Sequence, residues 1–247
     1  MNSEIRPSAS VISNYPEPEP YTLEKAIARH LGIPDEAVLV TAGATEAIYL
    51  IAHAWHGSRS AIVQPTFSEY ADACSLYEHS IINITDLFLQ PNINRFGTVW
   101  LCNPNNPDGS VTPKEGLASL TAGNPDTIFI MDQSYGFFTQ ELLMDETEAV
   151  AAGNVLQLHS MTKRYAMPGL RLGYIVGDPD LINNIRNVRM PWSVNALAIE
   201  AGLYIMEHPD PSMQPQLECR NLIEHVLQLQ NFFRRGILFR FLLRFRV

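Results

Sequence analysis

The stretch VLQLHSMTKRYAMPGLRLGYIVG, residues 155–177, holds two apolar strand patterns separated by a polar turn. VLQLHS (155–160) and RLGYIVG (171–177) are short apolar runs bounded by polar residues, Gly and Pro, which is typical of buried strands. Lys163 follows the first run, and Arg171 opens the second. The whole chain contains three lysines, so a reaction that needs a lysine has few candidates.

Five further strand patterns precede this stretch, and helical patterns alternate with them. The strand patterns are AVLVT (37–41), SAIVQ (60–64), IINIT (81–85), TVWLC (98–102) and TIFIMD (127–132). The helical patterns are at 22–30, 42–56, 66–79, 113–122, 197–207 and 216–233. Strands that alternate with helices predict an α/β fold, here a three-layer α/β/α domain with a mostly parallel seven-stranded sheet. In such sheets ligands bind beyond the carboxyl ends of the strands.

The composition excludes several classes of partner. The chain has 247 residues, 46% of them hydrophobic and 17% charged, which is ordinary for a soluble globular protein. A formal net charge of −9 does not indicate nucleic acid as a partner. The N-terminus has no signal-peptide core, no apolar run is long enough to span a bilayer, and the three cysteines lack metal-ligand spacing. We expect a cytoplasmic protein with reduced thiols and no membrane partner.

Polar residues at the ends of the strands are the candidates for chemistry. Lys163 fits a partly desolvated lysine that forms an imine, although a solvated loop lysine would occupy the same position. Asp132 ends a strand, where its carboxylate could hold a protonated ring nitrogen or cap a helix. Gly43, Ala44 and Thr45 join a strand to a helix, where free N–H groups favour a phosphate and an ordinary tight turn is the alternative.

Three further side chains have two interpretations each. Arg171 is suited either to donate two parallel hydrogen bonds to a phosphate or to form a surface ion pair. Asn106 lies in a Pro/Asn/Gly-rich loop, where it either contacts a ligand or forms an Asx-turn. Phe67 either covers a flat ring or belongs to the core.

Four motifs, in order, resemble those of the class I/II (fold type I) aminotransferases, which use pyridoxal 5'-phosphate (PLP). They are GATE (43–46) with NYPEP (14–18), NPNNPDG (103–109), DQSY (132–135), and SMTK (160–163) with PGLRLGY (168–174). The first motif is most similar to the branch that contains histidinol-phosphate aminotransferases and L-threonine O-3-phosphate decarboxylases. Asp108 and Gln133 stand where the family usually has threonine and glutamate.

The resemblance implies a role for each matched residue, with Lys163, Asp132 and Tyr135 as the catalytic set. Lys163 would be the Schiff-base lysine that later moves the Cα proton of the substrate, and Asp132 would pair with the pyridine nitrogen. Further implied cofactor contacts are Asn106 and Tyr135 on the phenolic oxygen, Phe67 on the ring face, and Ser160, Arg171, Gly43, Ala44 and Thr45 on the phosphate, with Thr162 as a helper. Tyr15 would reach the phosphate of a neighbouring subunit, which implies a homodimer with shared active sites.

The resemblance also divides the chain. Residues 1–13 are expected to be a remnant of an N-terminal arm, residues 14–205 the PLP-binding large domain, and residues 206–247 an incomplete start of a C-terminal small domain. The final stretch, NFFRRGILFRFLLRFRV (231–247), contains five arginines and no acid, unlike the rest of the chain. A shifted reading frame and a basic segment on a membrane surface are both open interpretations of it.

The implied function is amino transfer from a phosphorylated amino compound, such as histidinol phosphate, to a 2-oxo acid. One alternative is decarboxylation of L-threonine O-3-phosphate in cobalamin synthesis. A second alternative is a truncated fragment that binds PLP without turnover. The matched residues serve both reactions, because the outcome depends on which bond of Cα stands perpendicular to the ring.

Overall fold

Seven strands form a single sheet in the computed structural model, which describes residue 11 and residues 13–208. The strands are β1 (Val38–Thr41), β2 (Arg59–Val63), β3 (Ser80–Ile84), β4 (Thr98–Cys102), β5 (Ile128–Asp132), β6 (Val155–Ser160) and β7 (Gly173–Gly177). Helices are found at α1 (Tyr21–Leu31), α2 (Ala44–Ala54), α3 (Glu69–Leu76), α4 (Lys114–Gly123), α5 (Glu146–Ala152), α6 (Met161–Arg164), α7 (Pro179–Arg186) and α8 (Ala196–Glu207). Within this described part of the chain, no helix is long and apolar enough to cross a membrane.

The strand order of the sheet is β1-β7-β6-β5-β4-β2-β3. Strand β7 is antiparallel to both of its neighbours, and the other adjacent pairs are parallel. The predicted seven-stranded, mostly parallel α/β fold is therefore confirmed. Each strand begins and ends within two residues of its predicted bounds.

The alternation of side chains along the strands builds a core on each face of the sheet. On one face, Ile62, Trp100 and Ile130 belong to the cluster that packs against α2, α3 and α7. Their sequence neighbours, such as Val99 and Phe129, lie on the other face, which α4 and α5 cover in one part and α1 and α8 in another. Because helices cover both faces, the strands are apolar on both sides and the domain has three layers.

The ends of five strands meet at one edge of the sheet. Strands β4, β5 and β6 end in Cys102, Asp132 and Ser160, and the alternation places all three on the face covered by α2 and α3. Strand β7 runs in the opposite direction, so its first residue, Gly173, lies at this same edge opposite Ser160 and Thr41. The fold thus brings residues that are distant in sequence to one place.

Two local predictions are corrected by the structure. Arg171 does not open β7: its φ of 56° is left-handed, so the strand begins only at Gly173. The helix expected over 66–79 spans Glu69–Leu76, because Thr66 and Phe67 belong to the loop that precedes it, where the Thr66 hydroxyl donates to Asn105 Oδ1 at 3.1 Å. Helices α5, α6 and α7 lie outside the predicted helical stretches. The helix predicted over 216–233 lies outside the described residues.

The proline-rich segment 14–20 contains no helix, as predicted, and it runs beside Trp192. The backbone N–H of Trp192 donates to the carbonyl of Pro18 at 2.7 Å, and its indole Nε1 donates to the carbonyl of Pro16 at 3.2 Å. The next turn of chain is anchored by Glu24, a buried carboxylate that accepts hydrogen bonds from Arg186 at 3.0 Å and Arg189 at 2.9 Å. These contacts fix the N-terminal segment against the end of α7.

Candidate functional site

A cavity of ≈ 160 Å³ opens at the edge where the strands converge. Nine of the eleven predicted site residues line it: Lys163, Asp132, Asn106, Tyr135, Ser160, Arg171, Phe67, Ala44 and Thr45. Gly43 does not itself line the cavity, but it lies against the guanidinium of Arg171, which does. The remaining predicted residue, Tyr15, lies elsewhere.

Asp132 provides a buried carboxylate in this cavity. Its side chain is 4% exposed. The backbone N–H of Ser134 donates to its Oδ1 and the hydroxyl of Tyr70 donates to its Oδ2, both at 2.8 Å. Each carboxylate oxygen keeps further acceptor capacity, so a cationic ring nitrogen can still be bound. The helix N-cap considered for Asp132 is not found: a turn, not an α-helix, follows it.

Lys163 lies in the single helical turn α6, directly after β6. Its Nζ is 5.7 Å from the centroid of the Tyr135 ring. The next residue, Arg164, anchors the turn because its guanidinium carbon lies 3.4 Å from the centroid of Phe137. Lys163 itself is exposed where it lines the cavity, so the partly desolvated lysine expected from the sequence is not found and the solvated alternative is.

An anion-binding end of the cavity is formed at the start of α2. Gly43 precedes the helix with φ 88° and ψ 167° and provides no side-chain cap, which leaves the first N–H groups of Ala44 and Thr45 without an acceptor within the helix. The helix dipole favours negative charge at this point. The guanidinium of Arg171 lies against Gly43 so closely that a Cβ at Gly43 would be 2.6 Å from Arg171 Nη2.

Two hydroxyl groups and a glycine complete this end. Ser160 Oγ and Thr162 Oγ1 are 2.7 Å apart, and both residues line the cavity. Position 173, next to these hydroxyl groups, requires a glycine. A Cβ there would lie 2.8 Å from the backbone N of Ala44 and 2.8 Å from the carbonyl of His159. Cationic, hydroxyl and N–H donors therefore converge, which is the chemistry of a phosphate site.

The loop after β4 positions Asn106. Asn103 is fully buried, and its amide accepts from the backbone N–H of Thr112 at 2.8 Å and donates to the Thr112 carbonyl at 3.1 Å, which closes the loop. Asp108 accepts hydrogen bonds from Asn105 and from the backbone N–H and hydroxyl of Ser110, and the backbone bond to Ser110 is the main cause that lowers the pKa of Asp108. The aspartate that replaces the family's threonine thus has a structural role in the loop.

The two aromatic predictions have different outcomes. Phe67 is 36% exposed, lines the cavity and packs edge-on against Tyr70, with ring centroids 5.9 Å apart. Tyr15 is 89% exposed and packs on Trp192 at a centroid distance of 5.9 Å, away from the cavity of its own chain. Its assignment to a neighbouring subunit remains a prediction.

Sequence reasoning missed two residues of the site. Tyr70 lies three residues after Phe67 within the stretch predicted as helical, where that spacing would have placed both on one side and could have suggested a pair. Gly173 was visible as a glycine at the start of a strand, which often marks a close approach of two backbones. Neither signal identifies the partner, because Asp132 and Ala44 come from distant parts of the chain.

Comparison with known sequences identifies relatives of this chain. The family model described as "Aminotransferase class I and II" matches residues 2–237. A histidinol-phosphate aminotransferase of Desulfitobacterium hafniense is 29% identical over 228 residues, which cover 84% of this chain and 62% of the relative. The threonine-phosphate decarboxylase of Salmonella typhimurium is 34% identical over 209 residues, which cover 77% of this chain and 56% of the relative. The chain thus spans less than two thirds of the length of these curated relatives.

Solved structures have the same fold. The L-threonine-O-3-phosphate decarboxylase from Porphyromonas gingivalis superposes with a TM-score of 0.84 at 38% identity, covering 90% of this chain and 69% of that one. A histidinol-phosphate aminotransferase from Sinorhizobium meliloti, solved in complex with pyridoxal-5'-phosphate, superposes with a TM-score of 0.70 at 19% identity, covering 83% and 62%. At that identity the second likeness shows the fold alone.

Proposed function

The chain belongs to the class I and II aminotransferases, and from that membership we propose that its cavity binds PLP and that the protein acts on a phosphorylated amino compound. One observation carries the proposal: a lysine, a buried carboxylate and an anion-binding helix end surround a single cavity. These groups are complementary to the aldehyde, the ring nitrogen and the phosphate of the cofactor.

The residues present fit this cofactor at both ends of the cavity. At one end, the missing side chain of Gly43 leaves the space in which the Arg171 guanidinium lies beside the first N–H groups of α2. At the other end, the carboxylate of Asp132 is buried and held by two donors, which suits a protonated ring nitrogen. Donors therefore face the anionic part of PLP, and an acceptor faces its cationic part.

PLP supplies an electron sink that stabilises negative charge at the Cα of the substrate. Lys163, which is accessible at the cavity mouth, holds and moves the Cα proton at its Nζ. The buried carboxylate of Asp132 would hold the ring nitrogen, and Asn106 and Tyr135 would donate toward the phenolic oxygen.

The phosphate is held by the other end of the cavity. Arg171 and Ser160 bind it together with the N–H groups of Ala44 and Thr45, and Thr162 supports Ser160 through its hydroxyl. Phe67, which lines the cavity, would cover a face of the ring.

Two reactions are candidates. Amino transfer to a 2-oxo acid, with histidinol phosphate as donor, is supported by the family and by the histidinol-phosphate aminotransferases among the relatives. Decarboxylation of L-threonine O-3-phosphate is equally supported, by the decarboxylases from Salmonella typhimurium at 34% identity and from Porphyromonas gingivalis at 38% identity. Both substrates carry a phosphate and an amino group, so the proposal on substrate class is common to them.

The cofactor proposal is tested by adding PLP to the purified full chain, followed by borohydride. We expect a visible absorbance band that borohydride abolishes, with the cofactor then fixed to Lys163 in a peptide map. Lys163→Ala should give no such band, whereas Lys25→Ala, which alters an exposed lysine of α1, should behave as wild type. No band in a folded wild-type chain would refute the proposal and favour the inactive-fragment alternative.

The choice between the two reactions is tested on the products. Incubation with L-threonine O-3-phosphate should release carbon dioxide if the protein is a decarboxylase. Incubation with histidinol phosphate and a 2-oxo acid should yield a new amino acid if it is an aminotransferase. If cofactor is bound and neither product forms, the proposal on substrate class is wrong.

We also propose a cytoplasmic homodimer in which Tyr15 serves the cavity of the neighbouring subunit. The support for shared sites is that Tyr15 is 89% exposed and packs on Trp192, which is itself 51% exposed. Mixing Lys163→Ala subunits with Tyr15→Ala subunits should restore one intact site per hybrid dimer. Absence of any recovered activity in a confirmed hybrid would contradict shared sites.

A further inference from the structure

The Asp132 carboxylate receives one hydrogen bond from its own strand-end turn and another from a distant helix. Its Oδ1 accepts the local bond from the backbone N–H of Ser134 at 2.8 Å. Its Oδ2 accepts from the hydroxyl of Tyr70, which is 62 residues away in sequence, also at 2.8 Å. The orientation of the carboxylate therefore depends on how α3 packs on the sheet.

Packing fixes the Tyr70 ring independently of this hydrogen bond. The side chain is 1% exposed. Phe67 packs edge-on against it at an interplanar angle of 85°, and Trp100 lies tilted at 30°, each with ring centroids 5.9 Å away. The hydroxyl is thus held at the carboxylate with little further loss of side-chain freedom. Removing only that oxygen would leave the aromatic contacts in place.

The hydroxyl remains a donor over the whole working range of pH. Burial, followed by the negative charge of Asp132, raises the pKa of Tyr70 well above its usual value. The Cys102 thiol adjoins the same hydroxyl, and burial raises the pKa of Cys102 to about 12, so that it carries no charge near neutral pH. The carboxylate is therefore approached from this side by two neutral, protonated groups.

We infer that Tyr70 is a positioning residue for the cofactor, whose hydroxyl orients the Asp132 carboxylate toward the ring nitrogen of PLP. The inference rests on the proposed function, because it requires PLP in this cavity. In general, a hydrogen bond donated to a carboxylate favours its charged form. A carboxylate held in this way would favour a protonated ring nitrogen, on which the electron-withdrawing power of PLP depends.

The experiment compares Tyr70→Phe with wild type in two measurements on the full chain. PLP binding, followed by absorbance, should become about 10-fold weaker, as expected when a hydrogen bond to a charged group is lost. The pH midpoint at which the visible absorbance of bound PLP changes should rise by about half a unit. A ring with less positive charge opposes protonation of its substituent more weakly. The substituent is therefore protonated up to a higher pH, and the midpoint rises.

Two comparisons separate this role from a structural one. Tyr49→Phe removes a hydroxyl that donates to Glu69 at 3.0 Å outside the cavity, and it should change neither measurement. In an Asp132→Asn background, Tyr70→Phe should not move the midpoint further, because Tyr70 acts through Asp132. A merely structural defect would lower the melting temperature without this dependence on Asp132.

The outcomes distinguish the inference from the proposal beneath it. A wild-type chain that binds no PLP overturns both. A wild-type chain that binds PLP, beside a Tyr70→Phe variant with the same affinity and midpoint, overturns only the role of Tyr70. If Tyr70→Phe does not fold, the same titration is made on Tyr70→His, whose ring N–H offers a donor of different strength. A midpoint that is displaced in Tyr70→His supports the role, and one identical to that of wild type overturns it.

Discussion

Replacing Gly43 with alanine tests whether the junction of β1 and α2 is built for an anion. At φ 88° and ψ 167°, Gly43 occupies a backbone region that is essentially restricted to glycine, and any other residue held there is strained by about 1–3 kcal/mol. The new Cβ would lie 2.6 Å from Nη2 and 3.1 Å from Cζ of Arg171. Because these atoms are the far end of a flexible side chain, the guanidinium would move rather than the backbone.

Two effects of different size follow. The backbone strain should lower the melting temperature by about 2–12 °C, at ~2–4 °C per kcal/mol for a chain of this size. Displacing one charged donor from the phosphate should cost ~1.5–3 kcal/mol, which weakens PLP binding by about 10- to 100-fold. Pyridoxal lacks the phosphate, so its affinity should be the same in Gly43→Ala and in wild type.

The assay titrates PLP and pyridoxal, by absorbance, into wild type, Gly43→Ala and Gly153→Ala. Gly153 is the matched control: its φ of 76° is also positive, but a Cβ there would meet nothing within 4 Å. Both variants should melt earlier, and only Gly43→Ala should lose its preference for the phosphorylated ligand. A folded Gly43→Ala protein that retains wild-type affinity for PLP would refute the assignment of this junction to the phosphate.

Two predictions concern stability away from the cavity. Burial lowers the pKa of His79 below its ordinary value of 6.5, so the unfolded chain takes up this proton at a higher pH than the folded one. The free energy of unfolding, measured with urea, should therefore decrease as pH falls below about 6.5, and less steeply in His79→Gln. Glu24→Leu should destabilise the fold by about 3–5 kcal/mol, because it leaves the 2%-exposed Arg189 side chain without its carboxylate. Thermal unfolding measures this loss, and a change below about 1 kcal/mol would show that the ion pair is worth no more than an exposed one.

The strands were predictable because their pattern is local. TVWLC is covered by helices on both faces and is apolar or small throughout, whereas VLQLHS buries the polar residues Gln157 and His159 beside its apolar ones. The bounds of both strands match those predicted at 98–102 and 155–160. The polar residues at the strand ends were equally visible. Their convergence then follows from the rule that parallel strands present their carboxyl ends at one edge.

Other features depend on tertiary contacts and could not be predicted in this way. Arg171 opens a segment with strand-like composition, yet its φ of 56° is left-handed, and its guanidinium lies in the space left by Gly43. Tyr70 has the helical environment of an ordinary core residue, and only the packing of α3 on β5 brings its hydroxyl to Asp132. Sequence patterns report which face a residue occupies, but they do not report the atom that it meets there.

The reversed direction of β7 explains why one short segment supplies both the lysine and the arginine. The chain leaves β6 at the cavity edge after Ser160 and returns into β7 at Gly173, which is paired with Ser160, so the twelve residues 161–172 all stay at that edge. A parallel β7 would require a crossover to the opposite edge, and its first residues would then lie far from the cavity. Because β6 and β7 are antiparallel, Lys163 and Arg171 both lie in the one segment that joins these two hydrogen-bonded strands. A change in the length of the segment between β6 and β7 would displace the amine and the guanidinium together.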